Sequence, residues 1–151
     1  MKQKIHSFSK GFIILLIAGL SQGFSTKPGG DFYRIFLNDK LVVEQFLTEP
    51  ESVPPLSLNT ANGNDQLFIH FSHCGVAGKG RTITLTDEKG KPVKVWKFAD
   101  TKSTVMQLPV KEIATASGKM ATGTIYYASK EKPSSQLLTK LELKKQVVAK
   151  L

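Results

Sequence analysis

Three side chains in the middle of the chain are suited to chemistry: His70, His73 and Cys74. Cys74 is the only cysteine, and the one other histidine, His6, lies close to the start. A thiol beside an imidazole is the pair a cysteine hydrolase uses, because the imidazole takes the thiol proton and the thiolate then attacks carbon. Histidine and cysteine are also the usual ligands of zinc. Their spacing works against both uses. In a strand, neighbours such as His73 and Cys74 point to opposite faces. His70 and Cys74 share a face but stand ~13 Å apart at ~3.3 Å per residue. A single metal would need the strand to break at Ser72, and carboxylates that no spacing announces. Two readings follow. Either Cys74 is a core thiol, the common fate of a free cysteine, or a small envelope-associated enzyme uses Cys74 with His73, or a metal at His70.

The next stretch, Gly75-Val76-Ala77-Gly78-Lys79-Gly80-Arg81, is rich in glycine and carries two cations. It is no P-loop. The glycine-to-lysine spacing is wrong, no Ser or Thr follows Lys79, and a strand pattern follows where a helix should begin. Its backbone N–H groups, with Lys79 and Arg81, still offer a cradle for an anion; the alternative is a plain crossover between strands. Further on, Trp96 with Lys94 beside it offers a platform for a glycan ring or a protein partner. The candidate binding residues are therefore Trp96, Lys94, Lys79 and Arg81. No pair of carboxylates stands out for glycoside hydrolysis, and no catalytic set, metal set or cofactor is indicated.

These residues sit on or beside a hairpin. Arg81 to Thr86 alternates apolar with polar at period two, the signal of a half-buried antiparallel strand. Asp87-Glu88-Lys89-Gly90 is turn chemistry, and Pro92 to Phe98 runs back. The register decides what Trp96 does. With a three-residue loop, Glu88 to Gly90, Asp87 faces Lys91. Val93 and Val95 then join Ile83 and Leu85, and Trp96 points away. With a two-residue loop, Lys89-Gly90, Trp96 and Phe98 join the core face instead. A slip of one residue flips every side chain, and a bulge does so locally.

The rest of the chain supplies partners for that hairpin. Asp31 to Leu37 and Lys40 to Leu47 read as strands about an Asn38-Asp39 turn. Leu56 to Leu58, Gln66 to Cys74, Thr104 to Leu108, Gly123 to Ser129 and Gln136 to Leu143 read as further strands, with one helical turn at Val110 to Thr115. About eight strands spaced by turn signals predict an all-β fold, an antiparallel immunoglobulin-like (Ig-like) β-sandwich.

Met1 to Lys10 holds three lysines and no acid, and Gly11 to Leu20 is an unbroken apolar run before Ser21-Gln22-Gly23. That is the pattern of a cleaved secretory signal peptide, and the run is short for a membrane span. The expected organisation is a signal peptide over 1–23, a flexible lead over 24–30 and one domain over 31–151. The exported product is periplasmic, cell-surface or extracellular. Removing Lys2, Lys4 and Lys10 lowers the net charge from +9 to +6. The excess is scattered lysine without the basic, aromatic-interleaved stripe of a nucleic-acid binder, so no nucleic acid is expected. Adhesion to an anionic envelope polymer through surface lysines is one alternative. A lone cysteine in an exported chain forms no internal disulfide, so stability rests on the core.

His73-Cys74-Gly75, Gly78-Lys79-Gly80-Arg81, Asp87-x-x-Gly90-Lys91 and Lys94-x-Trp96-x-Phe98 together resemble small, uncharacterised exported β-sandwich proteins of Bacteroidota type, over most of the mature chain. That resemblance implies the fold and export but no activity. Asp87-x-x-Gly90-Lys91, Gly123-x-x-Tyr126 and the end Lys144 to Lys150 are also similar to the C-terminal sorting domains of type IX secretion, which follow a cargo. Shared Ig-like geometry accounts for that likeness more simply. The expectation is a secreted or periplasmic binding or structural module whose partner is a protein or a glycan.

Overall fold

The computed structural model describes residues 30–47 and 52–145. The expected signal peptide, almost all of the lead and the last six residues lie outside them. Nine strands and one helix follow in order: β1 (Phe32–Leu37), β2 (Lys40–Phe46), β3 (Pro55–Asn59), β4 (Gln66–Ser72), β5 (Thr82–Thr86), β6 (Pro92–Lys97), β7 (Val105–Pro109), α1 (Val110–Ser117), β8 (Thr122–Ala128) and β9 (Gln136–Lys144). They form two sheets, ordered β2-β1-β4-β7 and β3-β9-β8-β5-β6. The chain is an all-β sandwich. All pairings are antiparallel except β3 with β9, which is parallel. In an immunoglobulin sheet ordered ABED the first strand lies at an edge; here β1 lies between β2 and β4. The expected helical turn is a two-turn helix that turns Val110, Ile113 and Ser117 inward. No described helix is long and apolar enough to cross a membrane.

Period-two patterning places the core. Tyr33, Ile35, Leu67, Ile69, Phe71, Met106 and Leu108 point inward from the four-stranded sheet. Leu58, Ile83, Leu85, Ile125, Tyr127 and Leu141 meet them from the other. Burying a side chain of this size contributes about 1.5–3 kcal/mol. Two aromatics tie the sheets together. The Phe71 and Tyr127 rings stack at 3.9 Å. A bulge in the β8–β9 pairing steps from Ile125↔Thr139 to Tyr126↔Leu137 and skips Leu138; the Tyr33 hydroxyl donates to the Leu138 carbonyl at 2.8 Å.

The central hairpin combines the two registers. Asp87 N–H donates to Lys91 O, and Gly90 closes the loop at φ 77°, so the loop is Glu88 to Gly90. Asp87 Oδ1 accepts from the N–H groups of Lys89 and Lys91, each at 2.9 Å. A bulge then moves the pairing from Thr86↔Pro92 to Leu85↔Lys94, so that Ile83 faces Trp96. Beyond the bulge Trp96 lies on the core side and packs against the core, while Val93 and Val95 are exposed.

Candidate functional site

His73 is the hub of a polar cluster at one end of the sandwich. β4 ends at Ser72, and His73 and Val76 pair across a two-residue turn. Cys74 and Gly75 hold that turn at φ 49° and 94°. Both central residues at positive φ is the geometry of a type I′ hairpin turn, which carries Cys74 outward and leaves His73 inside. His73 Nδ1 lies 3.2 Å from Asp31 Oδ2, and Nε2 lies 2.9 Å from the Tyr127 hydroxyl and 3.2 Å from Ser129 Oγ. Asp31, His73 and Ser129 thus have the contacts of a hydrolytic triad. The access is wrong. His73 and Ser129 are both more than nine-tenths buried, and Gly78 closes over them. A Cβ added to Gly78 would lie 2.6 Å from the Tyr127 hydroxyl, 2.9 Å from Glu131 Oε2 and 2.9 Å from His73 Nε2. Asp31, His73 and Tyr127 belong to or adjoin β1, β4 and β8, so the cluster pins those strands together. Burial pushes the Tyr127 hydroxyl up from its ordinary value.

Cys74 is exposed, so of the two readings the core thiol does not hold. Its Sγ lies 3.9 Å from Asp31 Oδ1, on the carboxylate that holds His73. The turn decides this outcome, since the strand stops two residues before the cysteine.

The glycine-rich loop does cradle anions, and the protein supplies them. Lys79 N–H donates to Glu131 Oε2 at 2.9 Å, and Gly80 N–H donates to Asp100 Oδ1 at 2.7 Å. The Lys79 N–H, more than any other contact, holds Glu131 below the usual carboxylate range. Arg81 is 2 % exposed and faces inward. Its guanidinium donates to Ser103 O at 2.7 Å, Ala99 O at 2.8 Å and Thr101 Oγ1 at 3.3 Å. Arg81 therefore clasps the 99–103 loop and is not open to a ligand; Lys79 is exposed.

Trp96 is half-buried. Its Nε1–H donates to Glu112 Oε2 of α1 at 2.7 Å, and Lys94 Nζ sits 5.9 Å from its ring centroid. The structure brings Trp96 and Lys94 together as expected, with the ring's polar edge and one face already engaged by the protein. His70 lies on another surface, its ring 5.2 Å from Phe36, and burial followed by the charge of Arg34 lowers its pKa. Among the described residues no group of three or more His, Cys, Asp or Glu side chains could hold a metal.

That other surface is the outer face of the four-stranded sheet, which sequence reasoning missed. Register places Phe36 beside Phe68 and Leu41, Arg34 beside His70 and Glu44, and His70 beside Val105. Leu41 is 43 % exposed and Val105 36 %. Phe36, Phe68 and His70, with Asn38 and Asp39, line a shallow groove of about 370 Å³. Arg34 Nε donates to Glu44 Oε1 at 2.6 Å and its guanidinium carbon stands 5.2 Å from the Phe32 ring. The outer face of the other sheet carries the threonines of β5, with exposed Val95 of β6 beside Thr84. The signal for the apolar face lay in β1 and β4, which are apolar on both faces: Phe32, Phe36 and Phe68 alternate with Tyr33, Ile35 and Leu67.

No protein-family model, curated protein or solved structure matches the chain.

Proposed function

We propose that the chain is an exported β-sandwich module that binds a protein partner through the outer face of its four-stranded sheet. Export rests on the basic start, apolar run and small residues of 1–23. The carrying observation is the outward apolar row of exposed Leu41 and half-buried Phe36 and Phe68, with exposed Val105 beside it, on a sheet face where a sandwich ordinarily shows polar side chains. The composition favours a protein. Interfaces are enriched in aromatics and arginine and depleted in lysine, and the strands of this sheet carry four phenylalanines on the outer face, Arg34, and one lysine, Lys40, at the hairpin end. A glycan would gain little from Leu41 and Val105, which offer no hydrogen bond to a hydroxyl.

The enzyme alternative has less support, because Ser129 and His73 are enclosed and Cys74 is turned away on the surface. Adhesion to an anionic polymer needs lysines gathered on one side; they are spread over β6, β9, α1 and the connecting loops. The test is hydroxyl-radical footprinting of the exported protein, first in its own envelope extract and then purified and diluted. Protection of Phe36, Phe68 and Leu41 in the extract, with the loop tip at Lys89 labelled equally in both, supports the reading. Equal labelling of the aromatic face in both would end it. Export is tested separately: a mature N-terminus that still contains residues 1–23 would refute it.

A further inference from the structure

We infer that the partner on this face is a second copy of the same chain, packed sheet against sheet in a weak two-fold dimer. This rests on the reading of that face as the binding surface.

Charge selects the occupant. Without residues 1–23 the chain carries a net charge of +6, so two copies repel one another through any side that displays the excess. Of the 14 lysines among the described residues, 13 lie off the four-stranded sheet. On the outer face of that sheet Arg34 and Glu44 cancel one another in a 2.6 Å ion pair. This is the side on which two copies can approach without lysine meeting lysine. The pair Phe36 and Phe68 is also self-complementary, and Leu41 at its flank meets Gln107 of the other copy. A two-fold axis along the β1–β4 seam, in the plane between two facing sheets, lays Phe36 of each copy on Phe68 of the other. That arrangement is isologous and closes at two copies.

Area sets the strength. Four strands ~4.8 Å apart and about six residues long at ~3.4 Å per residue cover about 400 Å² in projection, or about 800 Å² across both copies. Stable complexes bury ~1,200–2,000 Å² in total, so this contact belongs to the weak, exchanging class. The dimer forms where the protein is concentrated and dissociates on dilution.

The experiment is sedimentation equilibrium of the exported protein from ~10 µM to ~1 mM, near neutral pH. The expected result is a mean mass that climbs from one chain toward two across that range. Leu41→Lys and Gln107→Lys, at positions that face one another across the axis, each place a cation on an exposed position of the face without touching the core. Each is expected to weaken the dimer at least tenfold while the far-ultraviolet spectrum and thermal midpoint stay at the wild-type values. A wild-type mass of one chain at ~1 mM overturns the inference. So does a dimer that both lysine variants leave intact, since its interface then lies elsewhere. The two failures separate. A monomer whose Phe36 and Phe68 remain protected in envelope extract means that another polypeptide occupies the face and the binding-module reading stands. A monomer without such protection removes both.

Discussion

Replacing Gly78 by alanine tests the enclosed His73 cluster. At a position where alanine fits, the change would stabilise by about 0.4–1 kcal/mol by stiffening the unfolded chain. Gly78 is not at positive φ, so backbone strain does not enter. The obstacle is the cluster itself. The new Cβ would lie 2.6 Å from the Tyr127 hydroxyl and 2.9 Å from both His73 Nε2 and Glu131 Oε2. Two of these do not yield freely: Tyr127 is stacked on Phe71 and His73 is held by Asp31, whereas the exposed Glu131 side chain can swing aside. Overpacking costs about 1–3 kcal/mol, and displacing a buried hydrogen-bonded group adds about 1–3 kcal/mol. The net expectation is a loss of about 2–4 kcal/mol. For a domain of this size, with an unfolding entropy of ~2.1 cal/mol/K per residue, each kcal/mol lowers the midpoint by about 4 °C, so Tm falls by about 8–15 °C. Urea unfolding followed by the fluorescence of Trp96, the single tryptophan, gives the free energy directly. Tyr127→Phe removes the nearest atom and completes a double-mutant cycle, in which the pair should cost at least ~1 kcal/mol less than the sum of the singles. A Gly78→Ala protein as stable as wild type, or a strictly additive cycle, would refute the argument.

Three further outcomes follow from the same geometry. Arg81→Lys keeps the charge but loses the fork to Ser103, Ala99 and Thr101; it should lower stability by about 2 kcal/mol, read from the urea midpoint, whereas a surface arginine would tolerate the change. Burial raises the Tyr33 pKa from 10.0 to about 12, so its contribution is complete below pH 10 and is lost as pH rises toward 12. Two units amount to about 2–3 kcal/mol. The fall in unfolding free energy from guanidinium titrations between ~pH 9 and ~pH 12 should be smaller in Tyr33→Phe than in wild type by that amount, and equal falls would contradict it. Cys74 should react with a thiol reagent in the native state as fast as after denaturation. Cys74→Asn, which suits the left-handed turn position, should raise the thermal midpoint by about 2–4 °C, a gain of up to ~1 kcal/mol.

Local chemistry made much of the fold legible. Ile83 and Leu85 alternate with threonines at period two, which placed β5 and its buried face. Asn38 takes φ 53° at the turn it was expected to make, and Asp87 with Gly90 closes the three-residue loop. Each of the nine segments read as strands is a strand with shifted ends and the helical turn became α1, because the ends of short elements are set by what packs on them. The candidate site was less legible. The glycine-rich loop was recognised as a cradle of N–H groups, but its anions, Asp100 and Glu131, lie 20 and 52 residues beyond the N–H groups they accept from. Distance in sequence hides such partners, and only folding brings them in.

The sequence by itself determined an all-β chain, the turns that join its strands, and most of the residues that form its core. These depend on the side-chain period, on φ preferences and on apolarity, which act within a few residues. The tertiary structure decided which way the ambiguous residues face. A single bulge after Thr86 turned Trp96 inward, and a two-residue turn put Cys74 outside and His73 inside. Pairing of β1 between β2 and β4 gathered Phe36, Phe68, Leu41 and Val105, from four strands, onto one open face. The physical reason is that period two has two phases. Local sequence sets the alternation, but which phase meets the core depends on the partner strand, and a strand apolar on both faces, as β1 and β4 are, leaves that choice to the sheet.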